Sequence, residues 1–285
     1  MNLRELDISH PYQATLVASD RLTAEGSDAE VRHLVLDIPA GDFAFQEGQS
    51  VGVLVPGPHD FGARQHLRLY SIASPRQGEK EGTTKFSLCV RRCFYIDEIS
   101  GERYPGRASN YLCDRSPGDP IAITGPYGVP FAIPADETAN LLLIGAGTGI
   151  APFRALVRRI YTTHGGWRGK VRLFYGANNG MELLYMNDLN RDFDLYYDQP
   201  TFRAFEAVSP RPHFDEPPAL ERALADNMRE VLELIAQPDT YVYVAGLTLA
   251  AEKFAEAMQK AEQDQWPERL QTLIQEGRYA ELLYD

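Results

Sequence analysis

Residues 141–152 read Leu141-Leu142-Leu143-Ile144-Gly145-Ala146-Gly147-Thr148-Gly149-Ile150-Ala151-Pro152. The run of four branched apolar residues predicts a buried strand. The glycines after it predict a tight loop, and Pro152 suits the first turn of a helix. Glycine lets main chain come close to a ligand, and a helix N-terminus offers N–H groups and a positive dipole end. Strand, glycine loop and helix together suit a pyrophosphate, while a tight structural turn is the plainer reading. The spacing is neither G-x-G-x-x-G nor a Walker A loop, which argues against a nucleoside triphosphate.

Downstream, strands alternate with helices: 140–144 then 152–163, 170–176 then 186–191, 202–208 then 218–236, 240–245 then 248–262. Phe153, Leu156, Val157, Ile160 and Tyr161 recur at helical spacing and predict one apolar face. This alternation predicts an open parallel sheet. Upstream the pattern is different. Segments 12–18, 31–38, 50–55, 67–71, 85–92 and 120–124 are short, β-branched or aromatic, and separated by Gly, Pro and Asp. They predict a barrel or sandwich. The texture changes near 133–138, which gives an all-β domain over 1–135 and an α/β domain over 136–285.

The chain of 285 residues carries 28 basic and 40 acidic side chains, a net charge of -12. That balance argues against nucleic acid or an anionic membrane surface as the main partner. The three cysteines (Cys89, Cys93 and Cys113) are too few for a disulfide framework and match no zinc or iron–sulfur spacing, so no metal site is expected. The first residues lack an apolar signal segment, and no apolar run is long enough to span a bilayer. A soluble, cytoplasmic protein is the expectation.

One predicted strand is chemically unusual. In Arg68-Leu69-Tyr70-Ser71-Ile72-Ala73-Ser74, alternation sends Arg68 and Tyr70 to one face and Ser71 to the other. An all-β half bearing Arg68-x-Tyr70-Ser71, followed by GAGTGIAPFRA, resembles the ferredoxin–NADP reductase family in its plant-type branch. FSLCVRRCFY (86–95), ASNYLCD (108–114), PGDPIAITGPYG (117–128), ELLY (182–185), AVS (207–209) and AGL (245–247) fall in the order of that family.

The resemblance implies an N-terminal antiparallel β-barrel that binds FAD and a C-terminal α/β parallel-sheet domain that binds NAD(P). Along the strand Arg68, Leu69, Tyr70 and Ser71 would lie against FAD. Arg68 would neutralise the pyrophosphate, Tyr70 would line the ribityl chain and ring, and Ser71 would hydrogen-bond near N5. Tyr95 would stack on the adenine, and Ser109 and Asn110 would hold the FAD phosphates, a role that N-capping does not preclude. Gly147, Thr148 and Gly149, with Gly246, would receive the nicotinamide nucleotide. Tyr284 would cover the flavin and move aside for hydride transfer, which makes Ser71 and Tyr284 the catalytic pair. Ser209 and Arg211 would form the 2′-phosphate site, so NADPH is expected over NADH.

The pattern is incomplete at three places. The arginine that the family carries directly after AVS is displaced by Pro210 to Arg211, and its later tyrosine position reads Ala219. The cysteine that the family carries before the AGL glycine is Ala245, and the acidic residue two positions before the terminal aromatic is Leu282. Glu281 should point to the opposite face. These changes predict a slower hydride step, because fewer contacts would align the reactants. Arg64, Arg68, Arg91, Arg92 and Arg103 concentrate positive charge in the first half, suited to an acidic ferredoxin or flavodoxin. The acidic, aromatic stretch 192–198 has no role in this reading. The alternatives are a reductase subunit dedicated to a multicomponent oxygenase and a flavin-binding electron relay without nicotinamide chemistry.

Overall fold

Side-chain alternation shapes the first half of the molecule. The computed structural model describes residues 3–27, 29–38, 43–57, 64–80, 82–97, 99–163, 166–208 and 219–284. The chain divides into two compact units, Met1–Pro130 and Phe131–Asp285, a few residues before the expected boundary.

In the first unit β1 (Tyr12–Arg21) turns Ala14 and Leu16 inward and the residues beside them outward. β2 (Val31–Asp37), β3 (Ser50–Pro56), β4 (Gln65–Ser71) and β5 (Lys85–Arg91) follow. After the short strands β6 (Phe94–Ile96) and β7 (Arg103–Pro105) come helix α1 (Arg107–Cys113) and β8 (Pro120–Tyr127). Six strands pair antiparallel in the order β4-β3-β8-β1-β2-β5. The outer strands meet where Ile72 bridges Leu88 and the Ala73 amide donates to the Ser87 carbonyl at 2.8 Å, which curls the sheet into the expected barrel. Leu16, Leu34, Val53, Ile72, Leu88 and Ile123 fill it, and Leu112 and Cys113 join them from α1.

The second unit holds a five-stranded parallel sheet in the order β11-β10-β9-β12-β13. Its strands are β9 (Asn140–Ala146), β10 (Val171–Ala177), β11 (Phe202–Val208), β12 (Thr240–Leu247) and β13 (Tyr279–Tyr284). The central strand β9 is buried on both faces, which its unbroken apolar run requires. Helix α2 (Ile150–Thr163) buries Phe153, Leu156, Val157 and Ile160 completely, as the spacing predicts. Losing one such anchor, as in Phe153→Ala, would cost about 3–5 kcal/mol.

Two expected helices are different in the structure. Residues 186–191 form a turn, because the Asn187 Oδ1 accepts the Leu189 and Asn190 amides at 3.0 and 3.1 Å. That side chain takes N–H groups a helix would need. The helix nearby is the short α3 (Asp194–Tyr197). The stretch 218–236 holds two helices, α4 (Ala219–Asp226) and α5 (Met228–Ile235). They part at Asn227, whose Nδ2 donates to the Ala223 carbonyl at 2.8 Å. α6 (Thr248–Glu262) lies where expected. α7 (Gln265–Gln275) occupies a stretch with no expected element, although Trp266, Leu270 and Leu273 are spaced for one helix face.

Two aromatics of the acidic stretch 192–198 are packing residues, while Leu195 and Tyr197 are exposed. Phe193 and Tyr196 are buried against Phe202, with ring centroids 6.1 and 6.2 Å away, and Asp192 pairs with the buried Arg154 at 2.5 Å.

Candidate active site

In the first unit the unusual strand is β4, which among the described residues has β3 as its one neighbour over most of its length. Arg68 is exposed, donates only to the adjacent Leu67 carbonyl at 3.0 Å, and makes no ion pair among the described residues. An exposed cation without a counter-charge is available to an anion. Leu69 is half-buried opposite Gly52, where an added Cβ would lie 2.6 Å from the Thr124 hydroxyl and 2.7 Å from Leu67. The glycine lets these strands close up under Leu69. Tyr70 packs against the barrel core, and burial, reinforced by neighbouring Cys93, pushes its phenol well above the usual range, so it stays neutral. Ser71 is half-buried, opposite Ser50.

The short β6–β7 hairpin displays Tyr95, 58% exposed, with its ring stacked on Tyr104 at 5.3 Å and 18°. Next to it the Arg103 guanidinium lies 3.7 Å over the Phe94 ring. Ser109 and Asn110 tie the start of α1 to Cys93. The Ser109 Oγ accepts the Cys93 amide at 3.0 Å, and the Asn110 Nδ2 donates to the Cys93 and Gly106 carbonyls, each at 2.8 Å.

Arg92 braces this corner. It donates to Glu30 at 2.7 Å and to Asn110 at 2.9 Å, and lies 2.8 Å from Asp114. Of the five arginines expected to form a basic surface, Arg92 is therefore spent inside the unit, whereas Arg64, Arg68, Arg91 and Arg103 are exposed.

In the second unit the glycine loop follows β9 as one 3-10 turn, Gly147–Gly149, leading into α2. It sits at the carboxyl ends of β9 and β12, the strands between which the sheet order reverses, where open α/β sheets take ligands. Gly149 touches β12 so closely that an added Cβ would stand 2.2 Å from the Ala245 carbonyl oxygen. Gly246, at φ +131, would place a Cβ 2.7 Å from the Ala146 carbonyl oxygen. Main chain packs on main chain here, and side chains at these positions would pry the loop from the sheet.

The Thr148 Oγ1 and the Tyr284 hydroxyl are 2.5 Å apart, so the last described residue reaches back to the glycine loop. Ala245, fully buried, lies in register with Gly145 on one side and Leu282 on the other. Glu281 accepts the Tyr279 hydroxyl at 2.5 Å on the other face of β13, the direction alternation predicts.

The ELLY segment packs near the loop, with Tyr185 buried in a left-handed conformation at φ +63 and Arg154 4.9 Å over its ring. Such a backbone is uncommon outside glycine and asparagine and persists only where surroundings enforce it. Ser209 and Arg211 lie outside the described residues.

Comparison with known proteins agrees with this architecture. Residues 143–260 match the oxidoreductase NAD-binding domain family. The ferredoxin–NADP reductase of Spirulina is 36% identical over 84% of this chain and 82% of its own length. The chain belongs to the ferredoxin–NADP reductase family. The cyanelle reductase of Cyanophora paradoxa is 34% identical across 95% of this chain and 76% of its own. For the Synechocystis reductase the figures are 38%, 83% and 58%. Among solved structures, the ferredoxin–NADP reductase of Plasmodium falciparum superposes with a TM-score of 0.72 at 21% identity, covering 98% of both chains. A variant of that enzyme with 2′P-AMP gives 0.76. The fold of the reductase family thus extends over the whole of this chain.

Proposed function

We propose that this chain is a FAD-dependent oxidoreductase. It transfers hydride between NADPH and flavin, and single electrons to or from a ferredoxin- or flavodoxin-type carrier. The observation that carries this reading is the pairing, in one reductase-family chain, of two phosphate-competent motifs. One is Arg68 on the edge strand of the barrel, exposed and without an ion pair among the described residues, and the other is the glycine loop at the switch point of the parallel sheet.

The groups of the first unit fit FAD in kind. Arg68 offers charge to a pyrophosphate, Tyr70 a neutral flat wall, Ser71 a hydroxyl, and Tyr95 an exposed ring face for adenine. Bound FAD supplies the conversion between two-electron and one-electron transfer. In the second unit the loop main chain accepts the pyrophosphate of NADPH, Thr148 and Gly246 border the nicotinamide end, and Ser209 and Arg211 take the 2′-phosphate. Thr148 also holds Tyr284, so nucleotide and terminal tyrosine draw on the same hydroxyl. The exposed arginines Arg64, Arg91 and Arg103 suit an acidic protein carrier. Three free cysteines and no disulfide suit a reducing compartment such as the cytoplasm.

The apolar pair in register, buried Ala245 and half-buried Leu282, favours a second reading, a flavin relay that has lost nicotinamide chemistry. Anaerobic titration of the purified flavoprotein with NADPH and, separately, NADH decides between them. Prompt loss of the visible flavin absorbance with NADPH alone is expected; bleaching by neither would establish the relay.

A further inference from the structure

Tyr175 of β10 is fully buried, yet its phenol is not idle. Its hydroxyl donates to the Gly147 carbonyl at 2.8 Å and accepts the Leu184 amide at 3.3 Å. One side chain thus links the glycine loop to the ELLY segment, next to the strained Tyr185. The Gly147 carbonyl also takes the amide of Ile150 at the start of α2.

In a trans peptide the carbonyl of one residue and the N–H of the next point in opposite directions. Anchoring the Gly147 carbonyl inward on the Tyr175 hydroxyl therefore turns the Thr148 N–H away from the sheet interior. Gly147 is at φ +55, a left-handed conformation that glycine adopts without a Cβ penalty. On the reading that this loop takes the pyrophosphate of NADPH, the phenol aims one of its donors.

We propose that Tyr175 is a positioning residue for the pyrophosphate of the nicotinamide dinucleotide, acting through the Gly147–Thr148 peptide. Phenylalanine would fill the same space, so only the hydroxyl carries the effect. The inference rests on the function proposed above.

The test is Tyr175→Phe in the FAD-loaded protein, with NADP+ and 2′-AMP as calorimetric ligands. The second lacks the pyrophosphate. NADP+ affinity should fall roughly three- to ten-fold, the worth of one buried neutral hydrogen bond. Affinity for 2′-AMP and the bound flavin should hold at the wild-type level, and the KM for NADPH should rise more than kcat falls. Unchanged NADP+ affinity would overturn the proposal. Equal weakening of both ligands would also overturn it, because it would mean general loosening of the unit. Failure of the wild-type protein to bind NADP+ would instead refute the function itself and this inference with it.

Discussion

Ala245 of β12 and Leu282 of β13 stand side by side in the parallel register, on one face of the sheet. Both are apolar here, where the resemblance to the family implies a cysteine and a carboxylate. Ala245→Cys adds one atom at a fully buried position and returns a weak polar group there. The hydride step should quicken by about three- to ten-fold, or roughly 0.7–1.4 kcal/mol of barrier. Stopped-flow flavin reduction by NADPH measures it, and an unchanged rate would sink the explanation.

Tyr284 and Thr148 share a hydrogen bond of 2.5 Å, which nucleotide binding at Thr148 would have to give up. Tyr284→Phe keeps the ring and removes that competition. NADP+ should bind up to about five-fold more tightly, reflecting one hydrogen bond of about 1 kcal/mol. Calorimetry with NADP+ gives the answer; equal affinities would show that Tyr284 does not compete for the Thr148 hydroxyl.

Tyr95 keeps one ring face against Tyr104, which stiffens an otherwise exposed aromatic. Tyr104→Ala should weaken FAD binding about two- to ten-fold, in line with about 0.5–1.5 kcal/mol for an aromatic pair. Binding of FMN, which has no adenine, should be unaffected. Apoprotein reconstituted with each flavin distinguishes these outcomes, and parallel losses would assign Tyr104 to folding alone.

Arg92 sets a pH dependence. Burial alone would raise the pKa of Glu30, but hydrogen bonds from Arg32 and Arg92 outweigh it and hold the carboxyl below its ordinary value. A depressed carboxyl contributes stability that is fully present above its ordinary pKa and is lost as pH falls through the folded one. Arg92→Ala should cost about 1–2 kcal/mol at pH 7, allowing for partial solvent screening. The gap to wild type should narrow in acid. Denaturant melts at neutral pH and below the carboxylate range test this, and a gap independent of pH would exclude Glu30 as its source.

Much of this was legible from residues alone, for identifiable reasons. The barrel strands show because each must hide alternate side chains, and β9 because an unbroken apolar run has nowhere to go but the centre of a sheet. β6 and β7 leave no such trace, since all their residues are exposed. The helix expected over 186–191 gives way to a turn where the Asn187 side chain accepts main-chain amides, and another parts at Asn227, whose side chain donates to a main-chain carbonyl. Within the site the glycine loop announces itself, because only glycine tolerates the contact with the Ala245 carbonyl. Tyr175 does not. In Val171-Arg172-Leu173-Phe174-Tyr175 it reads as one more apolar strand residue, and its two hydrogen bonds exist only after the chain has folded.

The open side of β4 has one more consequence. A strand with an unpaired edge is a template on which a second chain can add itself, and natural sheets often guard such edges with charge. Arg68 stands there. On the function proposed above, replacing it would remove a phosphate partner and a barrier to strand-to-strand self-association in the same stroke. An Arg68 variant that precipitates on losing its flavin would be displaying two faults of separate origin.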